Sequence, residues 1–197
     1  GKPLKSINQF YNKEKANLRK FLLENRDAMS FDLIKIASKQ IQKSLRKLDV
    51  FREAKSIAIY YPIGSEVKTQ EIMQEILSDG KTLALPKVKG EDLEFRKVTD
   101  FGNLEKAGFG IMEPKDRCSV VEDIDLVLVP TVGITRSGVR LGYGFGYYDR
   151  FLKKTSSKTI ALTYAKQIVR HIPQAENDVK VNWIVTENEC IDVSKEG

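Results

Sequence analysis

Cysteine is scarce in this chain, histidine scarcer still, and no long apolar run is present. Cys118 and Cys190 stand far apart without paired spacing, which argues against a disulfide framework or a zinc site. His171 is the sole histidine and sits near Pro173 in a loop-like segment. It reads as structural rather than as a general base. No stretch reaches the length needed to cross a bilayer, and the basic amino-terminal segment lacks the apolar core of a secretory signal. A reducing cytoplasm is therefore the expected setting. Zinc fingers, ribonucleoprotein motifs and long lysine–arginine blocks are also missing, which counts against nucleic acid as the partner. The net charge of +6 then favours small anionic partners, nucleotides among them, though only weakly.

The 197 residues, 41% hydrophobic and 30% charged, suit one domain with a substantial core. Repeats, linkers and low-complexity tails are not found, so a single domain over 1–197 is expected, with helices in 8–48 and an α/β core in 56–192. Residues 8–29 read as an amphipathic helix through Phe10, Tyr11, Leu18, Leu22 and Met29. Ser30 offers an N-cap for a second helix over 31–48, with Leu33, Ile34, Ala37, Ile41, Leu45 and Leu48 as its stripe. Strands are expected at 56–61, 82–86, 93–98, 125–130, 159–163 and 183–185, and helices at 67–78 and 146–154. The region 99–118 reads as irregular. Alternating strands and helices imply a three-layer α/β/α sandwich with a mainly parallel central sheet.

The most informative stretch is Gly138-Val-Arg-Leu-Gly-Tyr-Gly-Phe-Gly-Tyr-Tyr-Asp-Arg-Phe-Leu152. Glycines at 142, 144 and 146 let the backbone approach a ligand closely. Arg140 precedes them and a helix start carrying Asp149 follows. Such a loop presents N–H groups and a helix N-terminus to an anion, as phosphate sites do. Two common phosphate motifs are excluded. Gly80-Lys81-Thr82 resembles the end of a Walker A loop, but Glu75 stands where its first glycine belongs. The 142–146 loop fails the dinucleotide pattern, because its third glycine is at 146 and Tyr147 follows. Arg140 suits a phosphate and Asp149 a magnesium ion, or Asp149 simply favours the positive end of its helix. Tyr147 and Tyr148 either line a flat heterocycle or pack on the sheet.

Lys15 and Arg19 lie four apart and share a helix face. The pair is either a solvated face or a second anion site. Tyr60-Tyr61-Pro62 ends the first strand and Glu66 follows, where open α/β sheets bind ligands. Glu66 suits a ring amide and amine as acceptor, or else caps the helix that begins nearby.

Taken together, these pieces resemble the 5-formyltetrahydrofolate cyclo-ligase family. Its loop has the form Arg-(aromatic or Leu)-Gly-x-Gly-x-Gly-Tyr-Tyr-Asp, which residues 140–149 match throughout. Lys15-Ala-Asn-Leu-Arg19 resembles the family's Lys-x-x-Leu-Arg, Glu66-Val-Lys-Thr69 its Glu-x-x-Thr, and Met112-Glu113-Pro114 its Glu-Pro turn. Val127–Pro130 resembles the strand leading to the loop. The resemblance implies an ATP- and magnesium-dependent conversion of 5-formyltetrahydrofolate to 5,10-methenyltetrahydrofolate, releasing ADP and phosphate. It implies no nucleic-acid or membrane partner, and a monomer is expected. By the same resemblance Lys15 and Arg140 are the catalytic cations. Lys15 and Arg19 meet ATP phosphates, and Arg140, Leu141, Gly142, Tyr143, Gly144, Phe145, Gly146, Tyr147 and Tyr148 cradle the nucleotide. Tyr61, Glu66 and the 143–147 loop (Tyr143, Gly144, Phe145, Gly146, Tyr147) hold the folate, and Asp149 binds Mg2+. The family's second metal-associated Asp falls in Asp178-Val-Lys-Val-Asn182, where Asn182 stands in its place. Asn182 is thus the second expected metal ligand, with Asp178 as substitute.

Overall fold

In a computed structural model, which describes residues 2–173 and 179–196, the first helix, α1, spans Lys2–Asp27. Helix α2 covers Phe31–Arg46, and Ser30 caps it by accepting from the Leu33 amide at 3.1 Å. A short α3, Asp49–Glu53, then feeds β1, Ser56–Ile59. Helix α4 (Gln70–Ser78), β2 (Thr82–Lys89) and β3 (Asp92–Lys97) follow. The segment expected to be irregular holds a small hairpin, β4 (Leu104–Lys106) with β5 (Met112–Pro114). Next come β6 (Leu126–Val129), a tight pair β7 (Gly133–Thr135) and β8 (Arg140–Leu141), and helix α5 (Tyr147–Lys154). The chain closes with β9 (Lys158–Leu162), β10 (Ile168–Val169), β11 (Trp183–Val185) and β12 (Cys190–Asp192).

Seven strands form the central sheet in the order β12-β11-β9-β6-β1-β2-β3. The four inner pairings are parallel, and β3 and β12 close the edges antiparallel. Period-two alternation sorts β1, β2, β6 and β9 by size. Ile57, Ile59, Leu83, Leu85, Leu126, Leu128, Ile160 and Leu162 face one cluster, with Ile34, Ala37, Ile41 and Leu45 of α2, Phe51 of α3 and Ile72, Met73 and Ile76 of α4. Ala58, Ala84, Val127, Val129 and Ala161 face the other. These smaller side chains meet Leu152 of α5 and Ile134 of β7. The third layer is therefore shared between a single helix and a small sheet ordered β10-β7-β8.

Two stripe assignments change. Leu33 is 55% exposed, because Ile34, Ala37, Ile41 and Leu45 set the phase of α2 and leave Leu33 on the outer flank. Phe10 is likewise exposed, whereas α1 buries Leu22 and Arg26. Leu22 packs with Leu141 of β8 and with Val132, Val139 and Ile172, which flank the small sheet. This contact fixes the carboxy-terminal half of α1 beside the segment that carries the glycine loop.

Chain order reverses between β1 and β6: β1 leads outward to β2, while β6 lies on its other side. Connections diverge at such a switch point and leave a crevice past the strand carboxyl ends. The segments Tyr60–Glu66 and Pro130–Thr131 flank it.

Candidate active site

After β1 the chain folds into a short, internally bonded loop. Tyr60 donates through its hydroxyl to the Val67 carbonyl at 2.8 Å, and Thr69 donates to the Tyr60 carbonyl at 3.0 Å. Glu66 is 4% exposed and accepts the Ile63 amide at 2.8 Å. It does not cap α4, which begins at Gln70 after Thr69. Its second oxygen accepts from the Tyr143 hydroxyl at 2.9 Å. A bond between residues 66 and 143 brings the post-β1 loop and the glycine loop to one place. Burial raises the Glu66 carboxyl above its ordinary value, opposed by the Ile63 amide, Arg26, Tyr143 and Lys68.

Arg26 is a member of this cluster that its type and position did not announce. Its guanidinium is 3% exposed and donates to Tyr143 Oη at 2.7 Å, Ser65 Oγ at 2.8 Å and the Thr131 carbonyl at 3.4 Å. Tyr164 Oη donates to the Ser65 carbonyl at 3.0 Å, so the carboxyl ends of β1, β6 and β9 meet here. The signal available in the sequence was spacing: Lys15, Arg19, Leu22 and Arg26 recur at helical period on one face of α1.

On the loop itself, two guanidiniums press against glycine backbone. Arg19 donates from Nε to the Gly142 carbonyl at 2.8 Å. A Cβ on Gly144, whose φ is +104°, would lie 3.3 Å from Arg19 Cζ. A Cβ on Gly142 would lie 2.9 Å from Arg140 Nη2. Glycine is required at Gly144 by its left-handed backbone, and at Gly142 a Cβ would push the Arg140 guanidinium aside. Arg140 is itself 6% exposed, donates from Nε to the Pro130 carbonyl at 2.7 Å and pairs with Asp149 at 3.4 Å. Its Cζ stands 5.3 Å from the centre of the Tyr148 ring. Burial lowers its pKa, with Asp149 the chief counterweight. The guanidinium thus lies beneath the loop, a fixed positive charge under backbone N–H groups. Arg150 adds a third cation near Gly146, over the Tyr147 ring at 5.3 Å.

The other expected site residues take several positions. Lys15 is half-buried, one turn before Arg19 on the same face of α1. Leu141 is buried as part of β8, Phe145 is 66% exposed at the loop tip, and Tyr147 opens α5. Tyr148 Oη is buried without a hydrogen-bond partner, as is Thr131 Oγ1. Tyr61 is half-buried against the cluster under α2 and α4. Asp149, in the first turn of α5, keeps a side chain that is 52% exposed.

Asn182 does not join them. Its Oδ1 accepts the Thr159 amide at 2.9 Å and the Thr159 hydroxyl at 3.3 Å. Thr159 pairs with Val127, three residues before Pro130, or about 10 Å along the strand. Asn182 therefore belongs to the amino edge of the sheet, beside an open depression lined by Asp125, Lys158 and Trp183. In this arrangement the side-chain oxygen of Asn182 is taken up by Thr159 and is not brought to Asp149. Asp178 lies outside the described residues. Among the described residues no group of three or more His, Cys, Asp or Glu could hold a metal ion. One exposed carboxylate at a helix start still fits Mg2+, which commonly binds one or two carboxylates plus substrate phosphates.

A mainly parallel sheet whose switch point carries a glycine loop, several guanidiniums and a buried carboxylate defines an α/β protein with a cationic crevice. The chain belongs to the 5-formyltetrahydrofolate cyclo-ligase family, which it matches over residues 11–187. An NMR structure of 5,10-methenyltetrahydrofolate synthetase from Aquifex aeolicus is similar, with TM-score 0.83 at 34% identity, covering 93% of this chain and 94% of that one. The 5,10-methenyltetrahydrofolate synthetase of Mycoplasma pneumoniae gives 0.71 at 26% identity, over 88% of this chain and 98% of that one. A probable 5-formyltetrahydrofolate cyclo-ligase of Caenorhabditis elegans is 29% identical over 194 residues, covering 90% of this chain and 94% of its own length.

Proposed function

We propose that this protein converts 5-formyltetrahydrofolate to 5,10-methenyltetrahydrofolate at the expense of ATP, releasing ADP and phosphate. The observation that carries the reading is the Tyr143–Glu66 bond. It joins a buried acceptor suited to a ring's N–H donors to a cationic glycine loop suited to phosphates. A formamide carbon is a poor electrophile and its oxygen a poor leaving group. Transfer of the terminal phosphoryl to that oxygen forms an O–P bond, breaks the bond to ADP, and leaves an iminium-like carbon. The neighbouring amine of the folate then closes the five-membered ring, loses its proton, and phosphate departs. No protein nucleophile is needed, so positioning and charge stabilisation do the work.

In this reading Lys15 and Arg19, on one face of α1, draw in the ATP phosphates. The backbone of 141–148 and the positive end of α5 receive the transferring group, with Arg140 beneath. Glu66 orients the pterin, while Tyr61, Phe145 and Tyr147 flank the ring. Asp149 would hold Mg2+, which when bound would supply charge neutralisation for phosphoryl transfer. Among the described residues no helix is long and apolar enough to cross a membrane. A cytoplasmic monomer without a nucleic-acid partner completes the proposal.

Incubation with 5-formyltetrahydrofolate, ATP and magnesium tests it, because the methenyl product absorbs in the near ultraviolet. A flat trace from folded protein would sink the reading. Lys15→Ala is expected to raise the KM for ATP about tenfold or more, the scale of one charge-assisted contact, with the folate KM little changed. Unchanged nucleotide kinetics would remove Lys15 from the site. Asn182→Ala is expected to leave the Thr159 amide unpaired and to cost about 1–3 kcal/mol of stability in denaturant titrations. The magnesium concentration for half-maximal activity should stay where it was, and a large rise would return Asn182 to the metal site.

A further inference from the structure

Glu66 cannot meet any ligand in the arrangement described. The residue is 4% exposed, with one oxygen on the Ile63 amide and the other on the Tyr143 hydroxyl. The neighbours that cover it differ in freedom. Arg26 and Tyr60 are each 3% exposed and tied to Ser65, Thr131 and Val67. Tyr143 is half-buried and is carried between Gly142 and Gly144, the latter at φ +104°. The loop is the part of the cover whose flanking glycines leave its backbone the widest choice of conformations. Tyr143 is also the group that resembles a ligand, since its O–H gives Glu66 the same donor contact that a ring N–H would give.

We infer that Tyr143 is an internal competitor for Glu66, held in place by Arg26, and that it sets the affinity threshold of the ring pocket. The inference rests on the folate reading given above. Arg26 donates to the phenol oxygen at 2.7 Å while its own Nε is fixed on Ser65, so the competitor is pre-oriented and its hydroxyl proton is directed to Glu66. A ligand that brings N–H donors exchanges one hydrogen bond for another. A ligand that brings none displaces the tyrosine and leaves one oxygen of a buried carboxylate without a donor, a costly state. The threshold therefore excludes flat aromatic compounds that fit the crevice by shape alone. Because Tyr143 lies next to Gly142, whose carbonyl accepts from Arg19, ring entry also shifts the loop that faces the phosphates.

Tyr143→Phe tests this. The ring keeps its packing against the cluster of Leu22, Leu141 and Ile172, and only the hydroxyl is lost. Calorimetric titration with 5-formyltetrahydrofolate without nucleotide is expected to show binding about threefold to tenfold tighter than the parent, the worth of one competing hydrogen bond. Structural damage would not tighten binding, so the sign is diagnostic. Affinity that is unchanged or weaker, in a variant that melts like the parent, would overturn the inference and make Tyr143 a bystander or a direct ligand contact. A second measurement uses the parent sequence, with fluorotyrosine placed at position 143 alone. Its fluorine resonance should move towards that of an exposed tyrosine when folate is added, and a resonance that stays in place would also overturn the inference. Failure of the folate reading looks different. The parent protein would then neither bind nor turn over 5-formyltetrahydrofolate, whereas failure of the competitor alone leaves parental turnover intact.

Discussion

Replacing Arg140 with methionine is expected to lower kcat for methenyl formation by about a hundredfold to a thousandfold, the range found when a preorganised charge donor is removed. The KM values for ATP and folate should change far less. Arg140 is 6% exposed, lies under Gly142 and pairs with Asp149 at 3.4 Å. It is therefore poorly placed to capture ligands from solvent and well placed to stabilise charge that develops on the loop. A fixed charge of this kind acts most strongly where water is excluded, and that favours the transition state over the ground state. Pre-steady-state product formation separates chemistry from product release and checks the assignment.

The same substitution also disturbs the fold, and magnitudes show how much. Breaking a buried ion pair typically costs about 3–5 kcal/mol when the remaining charge is stranded. Here the remaining partner, Asp149, has a side chain that is 52% exposed, so water can take over. The larger loss is the Pro130 carbonyl left without the Arg140 Nε donor, about 1–3 kcal/mol. A methionine variant with parental kcat, within about threefold, and a lowered melting temperature would make Arg140 a strut rather than a charge for the reaction. Arg140→Lys sharpens the test. It keeps the charge but cannot span Pro130 and Asp149 together, so its kcat should fall between those of the parent and the methionine variant.

The parts of this site that were legible in the sequence are those whose demands are local. Gly144 is required by its own left-handed φ of +104°, and Ser30 caps α2 through the amide three residues on. Leu126–Val129 is apolar at every position because it is buried on both faces at the centre of the sheet. What stayed hidden depends on partners distant in the chain. The small sheet of β7, β8 and β10 is built from strands of two or three residues, too short to carry a period. Arg26 looked like surface because charge usually marks the solvent side of a helix, yet it is held by Ser65, Thr131 and Tyr143. Leu33 looked like core because α2 has apolar residues on both sides of its true stripe. Asn182 shows a different limit: spacing within a motif does not reveal which end of a strand a residue will occupy. The Thr159 amide and hydroxyl decided that.

Glu66→Gln is expected to raise the folate KM about a hundredfold, the scale of charge-assisted bonds from ring N–H groups replaced by weaker neutral ones, while the ATP KM moves by no more than about twofold. The pH dependence carries independent information. Burial raises the Glu66 carboxyl above its ordinary value of 4.5, against the opposing pull of Ile63, Arg26, Tyr143 and Lys68, with Tyr60 and Tyr164 also packed near it. Only the ionised form offers both oxygens as charged acceptors, so kcat/KM for folate should fall in acid at a higher pH than an exposed glutamate would give. That limb should be absent from the glutamine variant. Stability follows the opposite sense. A carboxyl whose folded pKa is raised contributes stability below its unfolded pKa, and this is lost as pH rises through the folded value. Ionised Glu66 is thus a strained guest at neutral pH, and glutamine should match or exceed it in melting temperature there, with the difference vanishing in acid. A variant that loses folate and ATP affinity equally, or one that loses stability at neutral pH, would place Glu66 in the framework of the loop. A variant that gains stability while losing folate would place it in contact with the ring, because a residue selected for ligand binding is retained at a cost to the fold.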